Sequence, residues 1–393
     1  MGEESLACGA FMSLESDTSR AVEEASEHCL SQINGNPDLI LVFYSIKHDP
    51  SRIRDQLHHR FPQATILGCS GESVVGGSRE IEGDFALSLW MARLPNVSLS
   101  PFHLSYASEI DQGSFLGWTD ELLSPWPAGS LIILFGEPFT FPADRLAVLL
   151  NEEQPGIPLV GGMASGGDKP GSHRLIMNGS IYDEGAIGVR LHGPVKTRTV
   201  LSQGCRPIGQ PYVITKADRN VIFELGGKKA LDKLQSLFEQ LGPADKEKIQ
   251  HGIHVGRVIN EYKSHFDRGD FLVRNVIGAD QNSGAIAIGD FVRPGQTIQF
   301  HLRDAESADE DLKQAFGELG THPQGALLFS CNGRGSRLFG EPDHDARVVS
   351  EALHHIPLAG FFAAGELGPV GTKNFLHGFT ASVLIFESDE EKS

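Results

Sequence analysis

Residues 357–371 read PLAGFFAAGELGPVG: a proline, a short apolar run, then a glycine-rich loop that carries one carboxylate, Glu366. The same design stands twice earlier, as PQATILGCSGESVVG at 62–76 and PLVGGMASGGDKPG at 158–171. What surrounds each copy recurs as well. An apolar run short enough for a strand buried on both faces comes first: DLILVFYS from 38, SLIILFGE from 130 and GALLFSCN from 325. A stretch at helical spacing follows, starting at Pro50, Pro142 and His344. In the first two the proline suits a helix start, because the N–H it lacks would be unpaired there. After the glycine loop a further apolar strand closes each copy: DFALSLWM, GAIGVRLH and ASVLIFES.

Strand, helix, strand, loop and strand, used repeatedly, predict an α/β fold of mixed sheets with helices on the sheet faces, in two lobes. The interval from Gly161 to Gly360 is about twice that from Gly68 to Gly161, which leaves room for a degraded fourth copy at 252–290, with VIGADQNSG in the loop position. Residues 203–241 differ. They read as two strands joined at KADRN and an amphipathic helix with Leu231, Leu234, Leu237, Phe238 and Leu241 on one face. The expected organisation is an N-terminal segment with a helix over 1–36, a first domain over 37–200, a second over 201–386 and an acidic tail at 387–393. The boundary falls where proline and polar residues interrupt the apolar pattern, in HGPVKTRTVLSQG.

Composition narrows the function. At 393 residues the chain exceeds one ordinary hydrophobic core, and a net charge of -18 argues against nucleic acid, whose recognition rests on clustered Lys and Arg. The N-terminus MGEESLACGAFMSLES has neither the basic start nor the apolar centre of a signal peptide, and no apolar run approaches the ~20 residues of a membrane span. Cysteines at 8, 29, 69, 205 and 331 show no paired spacing, as in a reducing compartment. A cytoplasmic protein without membrane insertion is expected.

Glycine loops at strand ends let backbone N–H groups converge on an anionic group, which makes Gly68, Gly360 and Gly365 candidate ligand contacts; the plainer reading is tight turns. Glu72 and Glu366 each follow a glycine, and a carboxylate beside such a nest suits the two ends of an amino acid. The alternative is a solvated acid capping a turn. Arg334 and Arg337 in SCNGRGSR follow an apolar run, where a guanidinium grips a carboxylate at two points. Arg274 interrupts an apolar run and needs a partner or a ligand. Cys331, with Cys69 in a related loop, carries the alternative chemistry of a nucleophile or thiol redox sensor, though no histidine stands at a spacing that names its base. Motifs for nucleotide phosphates and for zinc peptidases are absent. Asp343, His344 and Asp345 in PDHDAR read as a helix N-cap more readily than as metal ligands. No metal, cofactor or catalytic residue is expected.

QGCRPIGQP, GDFLVRNVIGAD, LLFSCNGRG, PLAGFFAAGELGPVG and LHGFTASVLIF, with ILGCSGESVVGG and EIEG in the first half, together resemble the FIST family over about residues 37–386. The resemblance implies a sensory module that binds small ligands, amino acids among them, and serves intracellular signal transduction, here through a separate signalling protein. The expected pocket for a small polar metabolite combines Glu366, Arg334 and the loops at Gly360 and Gly365.

Overall fold

A computed structural model describes residues 5–108, 113–249, 252–317 and 322–388. The expected acidic tail lies, from residue 389 on, outside the described residues. The chain packs as two bodies. Met1–Leu201, Leu312–Leu376 and Thr380–Ser393 form the larger; Ser202–Asp311 with His377–Phe379 form the smaller. The second sequence domain, 201–386, is therefore shared between them.

In the larger body three segments fold with one order of elements. Each begins with a leading strand, Leu39–Ser45, Leu131–Gly136 or Pro323–Cys331, buried on both faces over most of its length, which is why all three read as unbroken apolar runs. The helices Pro50–Arg60, Ala143–Glu153 and His344–Ala352 follow. The first starts as its sequence predicts: Pro50 occupies the opening turn and the Asp49 side chain accepts the Ser51 N–H at 2.9 Å. A following strand, Thr65–Gly71, Leu159–Met163 or Leu358–Ala363, returns parallel to the leading strand. A closing strand, Leu87–Arg93, Ala186–His192 or Thr380–Glu387, pairs antiparallel on its other side.

The glycine loops feed hairpins that leave their own sheet. The hairpin of Ser73–Gly76 and Arg79–Glu82 joins the following strand of the third segment. That of Leu175–Met177 and Ser180–Tyr182 joins the first segment, and that of Glu366–Val370 and Lys373–His377 joins the second. Three mixed sheets are thus interlocked by a cyclic exchange. Where they meet, Phe43, Phe135 and Phe329, one from the same place in each leading strand, stand with ring centroids 5.3, 5.9 and 6.1 Å apart. Phe361 joins them within the main core. Aromatic packing of this kind contributes about 0.5–1.5 kcal/mol per pair beyond the area it buries.

The smaller body is built differently. Its strands run in the order Cys205–Asp218, Thr297–Arg303, His254–Val258, Phe271–Asp280, Ala285–Ile288, Val221–Leu225 and Lys228–Lys229, and a pairing of Cys205–Asp218 with Val221–Leu225 closes the sheet on itself. Every ladder among them is antiparallel. The stretch 252–290 is accordingly not a fourth copy, since it lacks the parallel strand pair that defines the others. The long interval between the second and third loops reflects the smaller body, which enters the chain between the strand Lys196–Gln203 and the third leading strand. No described helix is long and apolar enough to cross a membrane.

Candidate functional site

Strand register places the three glycine loops in correspondence. Val42 pairs with Gly68, Leu134 with Gly161 and Leu328 with Gly360. A Cβ on any of these glycines would crowd the carbonyl oxygen of its partner. Glycine is required there by close strand approach, and its backbone belongs to the ladder instead of a nest. Four positions further on stand Glu72, Ser165 and Ala364, and all three line one cavity of ≈ 450 Å³.

Each wall is built locally. Glu72 directs its backbone N–H to Ser165 Oγ at 2.8 Å, and Ser165 Oγ donates to the Phe362 carbonyl. The Glu72 carboxylate receives both terminal nitrogens of Arg337, from the short turn Ser336–Phe339. Beyond the second leading strand, Pro138 and Phe139 form another wall, over a buried pair: Glu137 Oε1 and His173 Nδ1 are 2.8 Å apart. The other oxygen of Glu137 accepts from Phe139 N, Thr140 N and Thr140 Oγ1 at 3.0, 2.8 and 2.8 Å. The Gly167 N–H donates to His173 Nε2 at 3.1 Å, so the Nδ1 proton points at Glu137 and the ring is held at the cavity wall. Asp168 and Asn332 complete the polar lining.

Of the nine candidate positions, Glu72 lies in this lining. Gly68 and Gly360 stand inside their strands, and the Gly365 carbonyl accepts the Met163 N–H at 2.8 Å. Cys69 is buried in the main core, where burial pushes its thiol pKa up. Arg274 lies in the smaller body, and its partner is protein: Nε is 3.5 Å from Asp290.

Arg334 and Glu366 meet elsewhere, in the interior at the end of the third leading strand, beside the half-buried Cys331. Arg334 is fully buried and grips Asp345 through two bonds of 2.6 and 2.8 Å, with Ser330 Oγ donating to the same carboxylate at 2.7 Å. Burial works to raise the Asp345 pKa, but Arg334 overcomes it and holds the group well below the usual carboxylate range. Glu366 is also fully buried. It accepts the Thr380 N–H at 3.1 Å and Thr380 Oγ1 at 2.8 Å, with a further bond from the Cys331 thiol, yet burial pushes its pKa up to about 8. Glu80, brought in by the first hairpin, is raised to about 8 by burial and by Asp345. Glu366 and Arg334 thus stand in a buried polar cluster, where Glu366 Oε1 and Arg334 Nη1 find no hydrogen-bond partner among the described residues, and the cavity described above lies at the loop ends. Asp343 caps no helix with its side chain; it accepts the Glu80 N–H at 2.6 Å and so pins that hairpin. His344 Nδ1 is 3.0 Å from Asp345 in the same cluster.

Glu137, Phe139, His173 and Asn332 escaped the sequence reading, and Asp168 was legible only as the acid of the second glycine loop. One signal was available: aligned on the leading-strand phenylalanines, Glu137 takes the place of Cys331 and Ser45.

Three interlocked mixed sheets with helices on their faces define an α/β protein. The FIST N domain matches residues 38–228 and the FIST C domain residues 230–369. The chain belongs to the FIST family, whose domains are small-ligand sensory domains of signal transduction. It is similar to the uncharacterized protein Rv0628c of Mycobacterium tuberculosis, 39% identical over 96% of this chain and 99% of the relative. It is also similar to the uncharacterized protein Mb0898c of Mycobacterium bovis, 38% identical over 95% of this chain and 97% of the relative.

Proposed function

We propose that this chain is a small-ligand sensor whose ligand occupies the cavity at the loop ends of the larger body, and that occupancy is relayed to a separate signalling protein. Convergence carries the reading: Glu72, Ser165 and Ala364, one per segment at the same register position, meet around one cavity. Its volume of ≈ 450 Å³ suits a small metabolite. Acidic groups in the lining favour a ligand with an amino group, the feature that the amino acids expected from the sequence share with simple amines. The recurrence of one element order supports an internal repeat, with the cavity where its copies face each other.

A thermal-shift screen of metabolites tests the proposal. A ligand at 100 times its dissociation constant stabilises the fold by about 2.7 kcal/mol. Ala364 is exposed and lines the cavity, so Ala364→Trp fills the space without disturbing the core. That variant should melt like the wild type and lose the ligand-induced shift. A confirmed ligand whose shift survives in Ala364→Trp binds elsewhere, and the reading fails.

A further inference from the structure

Resting on the cavity as the ligand site, we infer that it selects a cationic amine and discriminates against the amino acid that differs from it only by an α-carboxylate. Its described lining residues include carboxylates but no Lys or Arg. Asp168 is exposed at the cavity beside Gly167, and among the described residues nothing pairs with its carboxylate. The Gly167 N–H, an obvious donor for an anion, is spent on His173 Nε2. Glu72, a second carboxylate of the lining, is paired with Arg337, which leaves Asp168 as the uncompensated charge.

Cationic groups to receive a ligand carboxylate are missing from this wall. None of the described lining residues is Lys or Arg. Arg337 is engaged by Glu72, and Arg334 is buried against Asp345. A ligand ammonium or guanidinium, by contrast, meets the Asp168 carboxylate. Phe139, 51% exposed, supplies an aromatic face of the kind that attracts cations. An α-carboxylate on the same ligand would add a charge of the sign already present, with no Lys or Arg in the described lining to offset its lost hydration. The ligand class is therefore a primary or guanidino amine on a short hydrocarbon or aromatic body.

Matched ligands separate the possibilities. Binding of agmatine and arginine, and of phenethylamine, phenylalanine and 3-phenylpropionate, is measured by titration calorimetry on the full chain, in wild type, Asp168→Asn and Ala364→Trp. Each amine should bind about tenfold or more tightly than its amino acid, and Asp168→Asn, checked for wild-type melting, should weaken the amine by about tenfold, as loss of a charged hydrogen bond implies. The acid alone should not bind. An amino acid or 3-phenylpropionate that binds wild type as tightly as the amine, and is lost in Ala364→Trp, overturns the amine selectivity while the cavity assignment stands. So does an amine affinity unchanged by Asp168→Asn. If every compound fails to bind, or binds Ala364→Trp as well as wild type, the cavity assignment falls and the selectivity with it.

Discussion

Glu366 and Gly360, six residues apart in the same loop-bearing stretch, are both held for internal reasons. Gly360 allows the third following strand to approach the Leu328 carbonyl more closely than a side chain permits. Gly360→Ala should cost about 1–3 kcal/mol, the usual penalty of overpacking, whereas Gly242→Ala, which meets open space, should be near neutral in the same denaturant titration. Wild-type stability in Gly360→Ala would remove the close-approach account. Arg334 is a matter of charge. Truncating one partner of a buried ion pair strands the other, so Arg334→Ala should lose about 3–5 kcal/mol, and adding Asp345→Asn should restore part of it. A double variant no more stable than Arg334→Ala would show that the pair is not what the single change breaks.

At the level of elements the exchange of hairpins is the distinctive feature, because each sheet depends on a strand supplied by another segment. Leu175, fully buried in the second hairpin, pairs with Cys69 of the first segment. Leu175→Ala should cost about 2–5 kcal/mol, as a large-to-small change in a packed core does. The loss should spread: hydrogen exchange ought to accelerate in Thr65–Gly71 as well as in the hairpin itself. Faster exchange confined to residues 159–192 would mean that the sheets are not coupled in this way.

Taken as a whole, the molecule should respond to pH in opposite senses in its two bodies. Glu80 and Glu366 of the larger body have folded pKa values near 8, above the ordinary 4.5. The folded state therefore holds more protons, so the stability these groups contribute is complete below about pH 4.5 and is lost as pH rises through about 8. His254 and His301 of the smaller body are the reverse, lowered to about 4 from 6.5, chiefly by burial. Their contribution is complete above pH 6.5 and is lost as pH falls through about 4. Hydrogen exchange corrected for intrinsic rates should show protection in the larger body declining from pH 5 to 8, and in the smaller body declining from pH 6.5 to 4. Glu366→Gln should flatten the first slope; a slope unchanged in both Glu366→Gln and Glu80→Gln would refute its assignment to these carboxyls.

The leading strands and the first helix were legible because their signals are local. A strand buried on both faces must be apolar throughout, as LILVFYS is, and a proline at the opening of a helix has the same meaning wherever it stands. The family was legible for a related reason: each of its motifs is a contiguous run of residues, in both bodies. The exchanged hairpins were not, since pairing between Leu175 and Cys69 leaves no periodicity along the chain, and neither did the insertion of an antiparallel body that imitates the spacing of another copy. The site was hidden most deeply. A glutamate between small residues looks alike in sequence whether it faces a ligand, as Glu72 does here on the proposed reading, or is sealed against Thr380, as Glu366 is. Backbone preference and hydrophobic period are set by neighbours a few residues away, whereas the surroundings of a charge are set by whatever folding brings beside it from 14, 93 or 265 residues along the chain.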